Sequence, residues 1–160
     1  MTRRLVYSIN NSRHLIVLED PLKTIKSFKQ LDPAAKEAGG LLIGRHLTGS
    51  NHVVVDQVTT PTCCDRRSRH GFHRSFWHNL QAKRAWKHSS QTQGLLGLWH
   101  THPEPRPTPS SVDFNDWKTT LQNGIFLGST LFFMIVGMED ICVWQGTTRN
   151  PTFKLLSQHE

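Results

Sequence analysis

The run "GLLGLWHTH" (Gly94 to His102), followed at once by "PEPRPTP" and then by "SSVD", constrains this chain more than any other segment. Its nine mostly apolar residues suit a strand buried within a sheet. The prolines at positions 103, 105, 107 and 109 fix φ and remove backbone donors, so the connector after the strand is neither helical nor free to wander. Ser110 or Ser111 can cap a helix running to about Asn123, with Gly124 as its stop. The segment therefore predicts a strand, a stiff bridge and a helix in immediate succession.

Side chains two apart on a strand point to the same face, so His100 and His102 project together while Thr101 points away. Two imidazoles at the end of one rigid strand suit zinc, which takes histidine nitrogens at roughly 2.0–2.1 Å. A carboxylate as third ligand would leave a position for water, the pattern of a catalytic site and not a closed structural one. Asp113 is the leading candidate, because a helix N-terminus favours negative charge on its first turn. Each half has a plainer reading. S-x-x-D is an ordinary capping pattern, and a His-x-His arises easily in a chain with ten histidines. The combined spacing H-x-H-x7-S-x-x-D is much more specific. The other histidines (14, 46, 52, 70, 73, 78, 88 and 159) read as surface or packing residues.

The rest of the chain sets the frame. A length of 160 residues makes a single domain, 1–160, able to bury a core without staples. No apolar run approaches the roughly 20 residues that span a bilayer, and "MTRRLVYSINN" lacks the apolar core of a secretory signal. A cytoplasmic location and no membrane contact are expected. Three cysteines, with Cys63 and Cys64 adjacent and Cys142 apart, make no disulfide framework. The net charge of +7 fits an acidic partner, whether nucleic acid or protein, and concentrates in "RRSRHGFHR" and "KRAWKH".

Strands are expected at "LVYSI", "LIVLE", "GGLLIGRHL" and "HVVVDQVTT", the last two as an antiparallel pair. Asp20-Pro21 starts a helix reaching about Gln30, which Asp32-Pro33 extends or restarts towards Glu37. Pro61 to Arg74 reads as irregular. A helix follows from Ser75 to about His88, with Phe76, Trp77, Leu80 and Trp86 as its buried stripe. "STLFFMIVGM" and "ICVWQG" form a hairpin, and "TFKLL" adds a last strand. The fold class is α+β, a mainly antiparallel sheet flanked by two or three helices.

"HTHPEPRPTPSSVD" resembles the JAMM signature of the JAB/MPN metallopeptidases, in both histidines, the following proline, the gap, the serine and the aspartate. "EAGGLLIG" matches that family's upstream motif, a glutamate just before a Gly-Gly-apolar strand, at Glu37. The resemblance covers roughly Glu37 to Gly146 and is closest to the small prokaryotic JAB proteins, including deconjugating peptidases of CBASS-type anti-phage operons. It implies a three-layer-like MPN/JAB fold and one catalytic Zn²⁺ held by His100, His102 and Asp113. It further implies Glu37 as general base and then acid, and Ser110 as donor to the oxyanion. Since one hydroxyl can hardly both cap the helix and serve the oxyanion, Ser111 is expected to share the capping. Glu104 and Asp116 are read as loop or surface residues, and Trp99 and Trp117 as core.

The implied reaction is zinc-dependent cleavage of the peptide or isopeptide bond after the C-terminus of a ubiquitin-like modifier or conjugated protein. The flexible tail would lie against walls formed by the Gly39–Thr60 strand pair and the basic Arg66–Arg74 segment. Two alternatives keep the motif. One is a peptidase acting on sulfur-carrier-type proteins, and the other a RadC-like protein associated with nucleic acid. The second ranks last because no helix-turn-helix signal accompanies the charge.

Overall fold

The computed structural model describes residues 4–149 and 152–159; residues 1–3, part of the stretch read for a leader, lie outside them. The described chain runs β1 (Leu5–Ser8), β2 (His14–Val17), α1 (Glu19–Lys26), β3 (Gly39–His46), β4 (Val53–Val58), β5 (Arg66–Ser68), β6 (Gly71–His73) and α2 (Trp77–His88). It continues through β7 (Gly94–Thr101), α3 (Ser111–Asn123), β8 (Thr130–Val136), β9 (Ile141–Thr147), β10 (Phe153–Leu155) and β11 (Ser157–His159). Nine strands form one sheet in the order β10-β9-β8-β7-β3-β4-β2-β1-β11. Its pairs are antiparallel except β2–β4 and β7–β8. The architecture is α+β, as the sequence predicts.

Both faces of the central strands are covered, which explains their near-continuous apolar runs. Along β8, Phe132, Met134 and Val136 join one core with Leu22 and Ile25 of α1. Leu131, Phe133 and Ile135, on the alternate face, join a second core with Ala85 of α2 and Trp117 and Leu121 of α3. Trp117 stacks on Phe133 at 4.8 Å between ring centroids and fixes α3 to the sheet. Leu156 alone separates β10 from β11, so one segment pairs with β9 on one side and β1 on the other. Tyr7 ties the same two ends of the sheet, its hydroxyl donating to the carbonyl of Ile141 at 2.8 Å. Among the described residues, no helix is long and apolar enough to cross a membrane.

Several elements depart from the sequence reading. α1 ends at Lys26, and Asp32-Pro33 makes a turn, closed by Ala35 N–H on Asp32 O at 2.9 Å, and no helix. Residues 66–73, expected to be irregular, form the β5–β6 hairpin. The largest correction concerns α2. Phe76, Trp77, Leu80 and Trp86 are 64%, 49%, 39% and 42% exposed, and do not form a buried stripe. The side facing the sheet carries His78 and Ala85 instead. His78 is fastened under the helix by Thr59 and Asp65, and Ala82 and Ala85 pack on the core beside it, which leaves the indole rings on the outer side.

Candidate active site

β7 and β3 together build the floor of the site. Their antiparallel register pairs Gly39 with His100 and Gly40 with Trp99. Continued two residues beyond β3, the same register sets Glu37 opposite His102. The geometry agrees, with Glu37 Oε1 3.9 Å from His102 Nε2. Thr101, between the two histidines, points the other way: its hydroxyl donates to Gln30 Oε1 at 2.8 Å and accepts Ala38 N–H at 3.0 Å.

The proline segment reaches across the sheet end to start α3. Pro105 O accepts N–H bonds from Glu139 and Asp140, both at 3.0 Å, and Glu104 O accepts one from Met138 at 2.7 Å. This docking needs Gly137, since a Cβ there would lie 2.6 Å from Pro107 Cδ and 2.7 Å from Pro105 O. The bridge is therefore pinned to the β8–β9 turn as well as stiffened by its prolines.

Ser110 and Asp113 then form a capping box. Asp113 N–H donates to Ser110 Oγ at 3.1 Å, and Ser110 N–H donates to Asp113 Oδ2 at 2.8 Å. Ser110 caps by itself; Ser111 is the first residue of the helix and does not share the task. Capping uses only a lone pair of Ser110 Oγ, which leaves its hydroxyl proton able to donate elsewhere.

The box turns Asp113 towards the histidines. Its Oδ1 is 3.1 Å from His100 Nε2, its Oδ2 is 3.2 Å from His102 Nε2, and the two Nε2 atoms are 3.0 Å apart. His100 and His102 are only 9% and 6% exposed. These three residues converge as a possible ligand set, with their donor atoms within 4.8 Å of one another. Two imidazole nitrogens and a carboxylate oxygen are the donor chemistry of a catalytic zinc site. The donor set thus fits the metal that the motif implies. His102 Nδ1 is buried without a hydrogen-bond partner among the described residues, whereas on a ligating ring that nitrogen carries a proton to an outer acceptor.

Electrostatics separate the carboxylates. Burial pushes the Glu37 carboxyl up to about 7, with Asp113 adding to burial and His102 opposing it. Burial also opposes the charged form of Asp113, but bonds from His100 and His102 outweigh it and hold that carboxyl well below the usual range. Burial lowers His102, and the Asp113 bond and the charges of Asp113, Glu37 and Glu104 raise it by more. One carboxylate stays ionised while the other is poised to exchange a proton near neutrality.

Sequence reasoning missed how Glu37 is held. Its N–H donates to Ser68 O, and Arg67 Nε–H donates to its carbonyl, both at 2.7 Å. The β5–β6 hairpin thereby grips the Glu37 peptide from both sides. Phe72 of the hairpin packs against Gly39, where a Cβ would come within 2.7 Å of its ring. Gln30, 1% exposed, fastens the other end through Arg69 O at 2.9 Å. The two-residue turn Arg69-His70 carries none of the Asn-Gly or Asp-Gly chemistry that marks hairpins in a sequence.

A buried relay anchors the hairpin's base. The Thr59 hydroxyl accepts Leu41 N–H at 2.7 Å and meets His78 Nδ1 at 2.6 Å, while His78 Nε2 meets Asp65 Oδ2 at 2.8 Å. A neutral ring with its proton on Nε2 satisfies every group in that chain. Asp116 lies on α3 and takes a bidentate bond from Arg74 at 2.8 and 3.0 Å. Cys63 and Cys64 are exposed in a turn and Cys142 is buried.

The chain is similar to known proteins in sequence and in fold. Residues 26–148 match the family described as prokaryotic homologs of the JAB domain. A protein of Escherichia coli (strain TW11681) named CD-NTase/cGAS isopeptidase is 30% identical over 155 residues, covering 96% of this chain and 94% of its own. One of Vibrio cholerae serotype O1 with the same name is 30% identical over 143 residues, covering 89% and 86%. In three dimensions the chain is similar to protein DSY2949 from Desulfitobacterium hafniense, with a TM-score of 0.58 at 19% identity over 90% of this chain and 88% of that one.

Proposed function

The chain belongs to the prokaryotic JAB-domain family and is a hydrolytic peptidase; from that premise we propose that it is a zinc isopeptidase which releases a CD-NTase/cGAS-type protein from its conjugates. The bond cut is the amide between that protein's C-terminal carboxyl and an amine of the target. Its setting is bacterial antiviral defence of the CBASS type, in the cytoplasm. The reading rests above all on the convergence of His100 Nε2, His102 Nε2 and the Asp113 carboxylate, with Glu37 Oε1 3.9 Å from one of them.

His100, His102 and Asp113 would hold the metal, and zinc bound there would supply Lewis acidity towards the scissile carbonyl and water. Glu37, whose carboxyl titrates near 7, takes the proton of the attacking water. As the C–N bond breaks it returns that proton to the leaving amine, so one carboxylic acid and one amine leave the site. Ser110 donates its hydroxyl proton to the carbonyl oxygen as negative charge develops there. Arg67 and Ser68 keep the Glu37 backbone in register through this cycle.

The tail of the conjugated protein lies between the β3–β4 pair and the β5–β6 hairpin. Positive charge along residues 66–74 receives acidic groups of the conjugate. The test uses purified protein and a CD-NTase-type protein joined through its C-terminus to a second protein. Release of two intact proteins, stopped by a chelator and restored by zinc, is the expected result. Uncleaved conjugate in the presence of stoichiometric zinc would overturn the reading.

A further inference from the structure

We infer that Glu104 is a positioning residue for His102, accepting the Nδ1 proton and so fixing the tautomer that leaves Nε2 free for metal. The inference rests on the zinc reading above. A neutral imidazole carries one proton, and a lone pair offered at Nε2 requires that proton on Nδ1. His102 Nε2 is the atom turned towards the other ligands, 3.0 Å from His100 Nε2 and 3.2 Å from Asp113 Oδ2. Its Nδ1 is buried and has no hydrogen-bond partner among the described residues. A proton there needs an acceptor, and Glu104 Oε1 is 3.6 Å away.

That separation exceeds a formed N–H···O bond by about 0.6 Å, and the contact closes by rotation of the Glu104 side chain, which is 45% exposed. Two bonds anchor the residue beside the ring. Its Oε2 accepts Thr108 N–H at 3.2 Å, and its own carbonyl accepts Met138 N–H at 2.7 Å. The docked proline segment thus offers one carboxylate oxygen to its own chain and the other to His102. This gives the bridge a second task beyond carrying Asp113 to the histidines. It brings a carboxylate to the back of one ligand ring, the arrangement that raises a histidine's basicity and fixes its orientation.

The test compares the full-length chain with Glu104→Ala, Glu104→Gln and His102→Ala variants, each stripped of metal. Zinc affinity is read by competition with a chromogenic chelator, and the melting midpoint of the metal-free protein is read alongside. Glu104→Ala is expected to weaken zinc binding about 10- to 100-fold while leaving that midpoint unchanged. Glu104→Gln, whose amide oxygen still accepts a proton, is expected to recover most of the loss. In the zinc-loaded protein, the His102 Nδ1 proton is expected in long-range ¹H–¹⁵N spectra of wild type and Glu104→Gln, and to be lost by exchange in Glu104→Ala. Zinc lost from His102→Ala but bound at wild-type strength by Glu104→Ala overturns this assignment alone. Stoichiometric zinc retained by His102→Ala overturns the metal reading, and this assignment with it.

Discussion

The Glu37 carboxylate lies 3.9 Å from His102 Nε2 because the two residues face each other across the end of the β3–β7 ladder. The carboxylate proposed as the proton-transfer group is thereby brought beside a proposed metal-ligating ring by backbone pairing, and the hairpin grip on the Glu37 peptide keeps it there. Replacing Glu37 by Gln keeps the shape and removes the base. Conjugate cleavage should fall about 10²- to 10⁴-fold, with zinc content and melting behaviour near wild type. Turnover within threefold of wild type would sink the assignment.

Ser110 joins two tasks that one substitution can separate by readout. Ser110→Ala removes the cap acceptor, which costs about 1 kcal/mol in denaturant unfolding. It also removes the proposed oxyanion donor, for which a loss of about 10²- to 10³-fold in kcat is expected. A stability loss with kcat unchanged would leave Ser110 as a cap alone.

The Asp65–His78–Thr59 relay predicts an acid-labile fold. Burial pushes the Asp65 carboxyl up, but bonds from His78, Thr62 and Ser75 together hold it well below the usual range. A carboxyl depressed in the folded state stabilises fully above its unfolded value near 3.8, and that stabilisation is lost as pH falls below it. Urea unfolding should therefore weaken steeply below about pH 4. Asp65→Asn should lose about 1.5–3 kcal/mol at pH 7, the worth of hydrogen bonds to a charged group, and show a flatter acid limb. An unchanged acid limb in that variant would assign the lability elsewhere.

The outward apolar face of α2 makes a sharp contrast with the inward stripe that its sequence suggests. Trp77→Ser and Trp86→Ser should each change stability by no more than about 0.5 kcal/mol. Ala85→Leu, pressed against the sheet, should cost about 1–3 kcal/mol. Losses of about 3–5 kcal/mol for the tryptophans would mean that the helix packs the other way round.

Much of the site is legible in the amino-acid sequence. The pair His100 and His102 follows from strand alternation, and Asp113 from a capping pattern at fixed spacing, both of them local rules. Glu37 is legible only through family resemblance, because no local rule joins it to residues some sixty positions away. α2 misleads because its aromatic residues recur at helical spacing, and periodicity says which residues share a face without saying which face is buried.

By itself, then, the sequence determined the local pieces: which runs become strand, bridge and helix, and which side chains share a face. Short-range sterics, prolines and caps set those within a few residues. Tertiary structure decided the rest: the β3–β7 register that brings Glu37 to His102, the hairpin that clamps it, and the side of α2 that meets the sheet. These depend on pairing and packing between distant segments, where side-chain volume and unsatisfied polar groups are settled only once the layers meet.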